Sequence, residues 1–277
     1  MNTTRGFSQV DVFSGVALRG NPLAVVHDGR GLGDDQMAEF ARWTNLSETT
    51  FLLPPTDPEA DYRVRIFTPG GELPFAGHPT LGSCHVWLAA GGQPRRDGVV
   101  VQECGIGRVT VRRGERLSFA APPAQVERVD AELLHRVYAA LGLPESRVRD
   151  AAWLAAGTRQ MALLVDDART VLALKPDHAA LKSLAKVGVV APHGAGDVQF
   201  ELRFFAAAIG VNEDPVTGSF NANVAQWLID SDRAPTRYVA AQGTAMGRAG
   251  RIYVERDAAG TWIGGDVAPC ISGSVLI

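Results

Sequence analysis

Three short stretches of the 277-residue chain carry side chains able to move a proton or hold a small polar molecule. In GELPFAGHPTLGS, residues 71–83, His78 sits among glycine and proline breaks, just ahead of an apolar segment. In NEDPVTGS, residues 212–219, the same turn recurs with Asp214 where the first copy has histidine. The third stretch, NLSETTFLL, places Glu48 at a helix-to-strand transition beside an apolar strand. Histidine and carboxylates are the usual general acids and bases, provided their surroundings tune them. An unperturbed histidine titrates near neutrality, and an aspartate opposite it can orient the ring or bind an ammonium. An apolar setting raises a carboxylate pKa into the useful range, which would make Glu48 a third candidate. Taken alone, Glu48 reads more simply as a surface residue or a cap, and Asp214 as a helix cap.

These side chains need a frame, and the chain writes its frame twice. His78 and Asp214, Pro79 and Pro215, Gly82 and Gly218, and Ser83 and Ser219 are each 136 positions apart. Arg65–Phe67 matches Arg203–Phe205 at an offset of 138, and PLAVV (22–26) matches QMALLV (160–165) at the same offset. Gln102 matches Gln242, and Gly107-Arg108 matches Gly247-Arg248, at 140. An offset near half the chain length predicts two similar domains rather than a solenoid. Counting 138 from Glu48 reaches Lys186, so the carboxylate has no copy. The hinge is expected in APPAQVERVD, residues 121–130, ahead of an amphipathic helix whose Leu133, Leu134, Val137 and Leu141 share one face.

Each half reads as alternating strands, a helix (DDQMAEFARWTN in the first, capped by Asp34), further strands, the repeated turn, an apolar helix, and a hairpin. The helices after the two turns carry few charges on any face, so each is predicted to be buried all round. The fold class expected is therefore α+β, two pseudo-symmetric domains over residues 1–122 and 123–277, each a barrel-like sheet about a central helix. Proline suits a helix start and aspartate caps one, so HP and DP are predicted to mark two such starts. If pseudo-twofold symmetry brought them face to face, their amides and partial positive charge would suit a small carboxylate.

Composition narrows the partners. A net charge of −3 and a pI near 6.1 leave no basic footprint for nucleic acid or an anionic membrane. The apolar runs fall far short of a membrane helix, and residues 1–20 read as strand rather than signal peptide. Three cysteines without CxxC spacing predict no disulfide framework and a cytoplasmic location. Cys84 next to His85 does not make a metal site, because adjacent helical residues point apart. GIG at 105–107 lacks the strand-to-helix setting and third glycine of a nucleotide loop.

The stretches GNPLAVV, NLSETTF, RIFTPGGELPFAGHPTLG, EDPVTGS and GRAGRIYV occur in this order from about residue 7 onward. Together they resemble the PhzF-like phenazine-biosynthesis family. The resemblance implies the diaminopimelate epimerase fold, with the last strand, around GSVLI, returning to the first domain. It implies Glu48 as general acid/base and His78 as the active-site histidine. Asp214 and Ser219 would line the opposite wall, and Gly77 and Gly218 would complete the substrate-binding set. The implied reaction is isomerisation of trans-2,3-dihydro-3-hydroxyanthranilate, moving a proton from C3 to C1, with no metal or organic cofactor and in a homodimer. Racemases and epimerases of this fold use one cysteine at each helix start; FAGHP and NEDPV have none, which disfavours thiol chemistry. Two other readings stay open, an epimerase using Glu48 with His78 or Asp214 and a non-catalytic protein that binds a small ligand.

Overall fold

The computed structural model describes residues 3–156, 158–194 and 196–277. The chain divides into two compact units, one running to Ala120 and taking in Gly264–Ile277, the other spanning Ala121–Ile263.

In the first unit the elements are β1 (Thr4–Val12), β2 (Asn21–Val26), α1 (Asp34–Thr44), β3 (Glu48–Leu53), β4 (Tyr62–Thr68), β5 (Gly71–Leu73), α2 (Gly77–Ala89), β6 (Val99–Cys104), β7 (Gly107–Arg113) and β8 (Leu117–Ala120). β1 and β2 are antiparallel, and α1 carries the crossover to parallel β3. β3 pairs antiparallel with β4, and β4 with β5. α2 then carries a second crossover to β6, parallel to β4, and β7 and β8 follow as antiparallel neighbours.

The second unit holds β9 (Gln125–Glu127), α3 (Ala131–Leu141), β10 (Val148–Ala156), β11 (Thr158–Val165), α4 (Ala168–Ala173), α5 (His178–Lys182), β12 (Val187–Pro192), β13 (Phe200–Ala206), β14 (Val211–Asp214), α6 (Gly218–Asp230), β15 (Arg237–Gln242), β16 (Gly250–Asp257) and β17 (Gly260–Gly265), whose last two residues pass into the first unit. From β10 to β16 the pairings repeat those of β1 to β7: antiparallel, parallel, antiparallel, antiparallel, parallel, antiparallel. The final strand, β18 (Val267–Leu276), lies antiparallel on β1 from Thr4↔Leu276 to Val12↔Val267.

Side-chain chemistry explains how an apolar helix packs closely on strands in each unit. Every residue of α2 from Gly77 to Cys84 is buried, and the helix packs against β1, β2, β3, β6, β8 and β18. Glycine at 82 permits that approach, since a Cβ there would come within 2.6 Å of Leu23 Cδ2. In the second unit the accommodating glycine is on the strand instead. Gly188 of β12 lies under the ring of Phe220 of α6, and a Cβ there would stand 2.1 Å from a ring carbon. β4 alternates as its sequence predicts, with Val64 and Ile66 buried and Arg63 and Arg65 half-buried. α3 starts at Asp130, whose carboxylate accepts from the Leu133 amide. It buries Val137 and Leu141 in a core shared with Met161, Leu163, Val187 and Phe205, with Leu133 and Leu134 packed at the edge.

One expected cap differs. Asp34 is the first residue of α1 rather than its cap, because Gln36 Oε1 accepts from the Gly33 amide and closes the turn one residue earlier. The Asp34 carboxylate instead meets Arg65 Nη1 at 2.7 Å.

Candidate active site

In the first unit, the start of β3 and the first turn of α2 bring two of the expected residues together. His78 Nε2 lies 3.4 Å from Glu48 Oε2, the imidazole buried and the carboxylate nearly so. Asn21 Nδ2 at the start of β2 stands 3.3 Å from His78 Nδ1. Burial takes the His78 pKa down to about 3, against a smaller upward pull from the Pro22 carbonyl. The ring is therefore neutral throughout the physiological range, and it does not titrate near neutrality as its type alone predicts. Its contact with Glu48 is that of a carboxylate with a neutral imidazole, not of an ion pair. A neutral ring has one N–H, and the Pro22 carbonyl can accept it.

The helix begins one residue before His78, not after it. Ala76 is the cap, and the first ladder bond runs from the Thr80 amide to Ala76 O. Pro79 is the third helical residue. A helix tolerates proline there as readily as at the first position, because no amide of the first turn has a ladder partner. No side chain caps the α2 start, and Gly77 opens the helix beside His78.

The second unit treats its Asp-Pro differently. Asp214 ends β14, and α6 begins at Gly218 after the cap residue Thr217, so Asp214 is not a cap. Gln242, fully buried at the end of β15, holds the intervening turn. Its Oε1 accepts from the Thr217 amide at 3.0 Å and from Asn221 Nδ2 at 2.9 Å. Its Nε2 donates to Asp214 O and to Thr217 Oγ1, both at 3.0 Å. Thr217 Oγ1 in turn donates to Asp214 Oδ2 at 2.6 Å. Ser219, in the first turn of α6, accepts from Gln160 Nε2 at 3.1 Å, and Gln160 is held by Asn223. Gly218 is buried at the helix start.

Glu48, His78 and Gly77 thus belong to the first unit, and Asp214, Gly218 and Ser219 to the second. The strand registers also identify the true counterpart of Glu48. Leu23 pairs with Glu48, as Met161 pairs with Val187, so the matching position is the fully buried Val187 rather than Lys186. The asymmetry is stronger than counting predicts: one half has a carboxylate where the other has core.

Spacing alone missed the polar residues beneath the turns. Gln102 and Gln242 stood out only as markers of the repeat, and Asn21 only within GNPLAVV. Their signal was a polar side chain inside an otherwise apolar strand. Cys84 is an ordinary core thiol, its pKa pushed up to about 12 by burial.

The profile of the phenazine biosynthesis-like protein family, PhzC-PhzF, matches residues 10–270. Antisense-enhancing sequence 1 of Schizosaccharomyces pombe is 36% identical over 295 residues, covering 99% of this chain and 100% of its own. The trans-2,3-dihydro-3-hydroxyanthranilate isomerase of Pseudomonas aeruginosa is 35% identical over 260 residues, covering 91% of this chain and 90% of its own. The crystal structure of a PhzF-family phenazine biosynthesis protein from Enterococcus faecalis superposes with a TM-score of 0.84 at 28% identity, covering 99% of this chain and 100% of that one. With the profile spanning nearly the whole sequence, the chain belongs to the phenazine biosynthesis-like family, a family of isomerases.

Proposed function

We propose that this protein is a cofactor-independent isomerase that relocates a proton on a small cyclic or amino-acid-derived carboxylate resembling trans-2,3-dihydro-3-hydroxyanthranilate. The observation that carries the reading is the 3.4 Å approach of Glu48 to a histidine that stays neutral. A neutral imidazole beside the carboxylate does not neutralise it as a cation would. Glu48 therefore keeps the basicity to take a proton from carbon and, once protonated, to return it elsewhere on the same substrate face. His78 polarises the charge that develops on the substrate. The uncapped start of α2 at Gly77 offers amides and a partial positive charge to an anionic group. The high thiol pKa and burial of Cys84 support proton transfer by the carboxylate rather than by sulfur.

The test is incubation with trans-2,3-dihydro-3-hydroxyanthranilate in D₂O, beside Glu48→Gln. Isomerised product carrying solvent deuterium, lost in the variant, supports the reading. Turnover that survives in Glu48→Gln discards Glu48 as proton carrier. Folded wild-type protein that neither converts nor exchanges this compound or related cyclic amino and hydroxy acids discards the proposed function.

A further inference from the structure

One cavity of the first unit, about 510 Å³ in volume, lies where the β7–β8 hairpin and the β17–β18 turn meet the third turn of α2. A space of that size admits a small molecule. His85, Arg113, Glu115, Arg116 and Asp266 line it. The last three satisfy one another. Arg116 Nε stands 3.0 Å from Asp266 Oδ1, and Arg116 Nη1 donates to Glu115 Oε1 at 2.9 Å. Among the described residues Arg113 has no carboxylate partner, and the His85 ring makes no hydrogen bond. Both therefore line the cavity with unused donors.

The pleat of β7 puts Arg113 there. Val109 and Val111 are buried, and Arg113 is the next residue on their face of the strand. Its charge reaches the Cys84 thiol, next to His85 on α2. The second unit meets the same situation with an acid of its own. In β16 Ile252 and Val254 are buried and Arg256 follows on their face. Arg256 donates to Thr261 Oγ1 at 2.9 Å and to Asp230, the last residue of the 13-residue α6. α2 also has 13 residues, but its last is Ala89. The first unit thus leaves its arginine without the carboxylate that the second supplies. His85 follows His78 by two helical turns, about 10 Å along the axis, and neither His78 nor Glu48 lines the cavity.

We propose that this cavity is a second binding site, taking a small phosphate-bearing molecule whose oxyanion is held by the Arg113 guanidinium and the His85 ring. It stands independently of the proton-transfer reading. A guanidinium fork engages two oxygens of an anion. A carboxylate has no others, whereas a phosphate keeps a third oxygen for the imidazole N–H. Glu115 and Asp266 are both engaged by Arg116, so neither competes for Arg113. Burial lowers the His85 pKa. A bound anion, set among Arg113, Arg116, Glu115 and Asp266, favours the imidazolium and raises it again.

NMR of the full chain reads the site at the His85 ring, whose resonances are assigned by their loss in His85→Gln. The probes are inorganic phosphate and glycerol 3-phosphate at constant ionic strength. We expect saturable shifts of the His85 ring protons and a rise in the ring's titration midpoint on binding. Arg113→Gln, at an exposed hairpin position, should weaken binding by about tenfold or more. Tighter binding of glycerol 3-phosphate assigns the site to a phosphate ester, and equal binding assigns it to free phosphate. A His85 ring that neither probe moves overturns the site, as does an Arg113→Gln protein that binds like the wild type.

Discussion

His78 Nε2 stands 3.4 Å from Glu48 Oε2, and the imidazole in that contact is neutral. A protonated histidine would make Glu48 a weaker base; a neutral one leaves it able to pull a proton from carbon. Replacing Glu48 by glutamine keeps the size and removes the base. We expect kcat for deuterium incorporation to fall by roughly 10²–10⁴-fold, with the thermal midpoint within a few degrees of the wild type. A Glu48→Gln protein that exchanges deuterium at more than about a tenth of the wild-type rate contradicts this role.

The neutrality of His78 has a consequence for stability. Its folded pKa of about 3 lies below the ordinary value of 6.5. The unfolded chain therefore takes up a proton below about pH 6.5 that the native ring refuses until about pH 3. This contribution is fully present above pH 6.5 and is lost progressively as pH falls toward 3. Between pH 7.5 and 4.5 it amounts to about 2–3 kcal/mol. The urea midpoint should fall further between pH 7.5 and pH 4.5 in the wild type than in His78→Gln, which lacks the titrating ring. Equal acid sensitivity in the two proteins contradicts the buried neutral state.

Arg203 and Arg65 occupy matching positions on β13 and β4, and both pair with a glutamate and lie 5.0 Å over a phenylalanine ring. Burial separates them. The Arg203–Glu213 pair is shielded on both sides, and Arg203 Nη1 also donates to Val171 O and Leu174 O; Glu72, the partner of Arg65, is largely solvated. Removing one member of a buried pair strands the other, at a cost of about 3–5 kcal/mol; a partly exposed pair is worth about 1 kcal/mol. Arg203→Met should therefore lower the urea-unfolding free energy several times more than Arg65→Met. Similar losses would show that the sheet, not the ion pair, sets the cost.

Gly188 lies beneath the Phe220 ring, where an added methyl would meet aromatic carbon at 2.1 Å. Neither the strand nor the helix can yield without opening the core, so Gly188→Ala should cost about 1–3 kcal/mol or more by urea unfolding. The double variant Gly188→Ala with Phe220→Leu should be less destabilised than the sum of the two single variants, because the smaller side chain vacates the space. Strict additivity would place the strain elsewhere.

The sequence by itself determined the duplication, the strand and helix types, and the chemistry-bearing turns. Those signals are local: a period of two in YRVRIFT, charge-free helices after each turn, and the repeated Gly-Ser after His-Pro and Asp-Pro. Glu48 was recognisable only through its motif, because one glutamate at the head of a strand looks like any other. What the tertiary structure decided was the state of each group. Burial sets the His78 pKa, and burial depends on residues far away in the chain. Where each helix begins also lay beyond local reading. Proline is tolerated throughout a first turn, so the choice fell to Gln242, which lies 25 residues beyond Thr217 yet satisfies its amide. A buried amide takes its orientation from donors and acceptors that only the folded chain assembles.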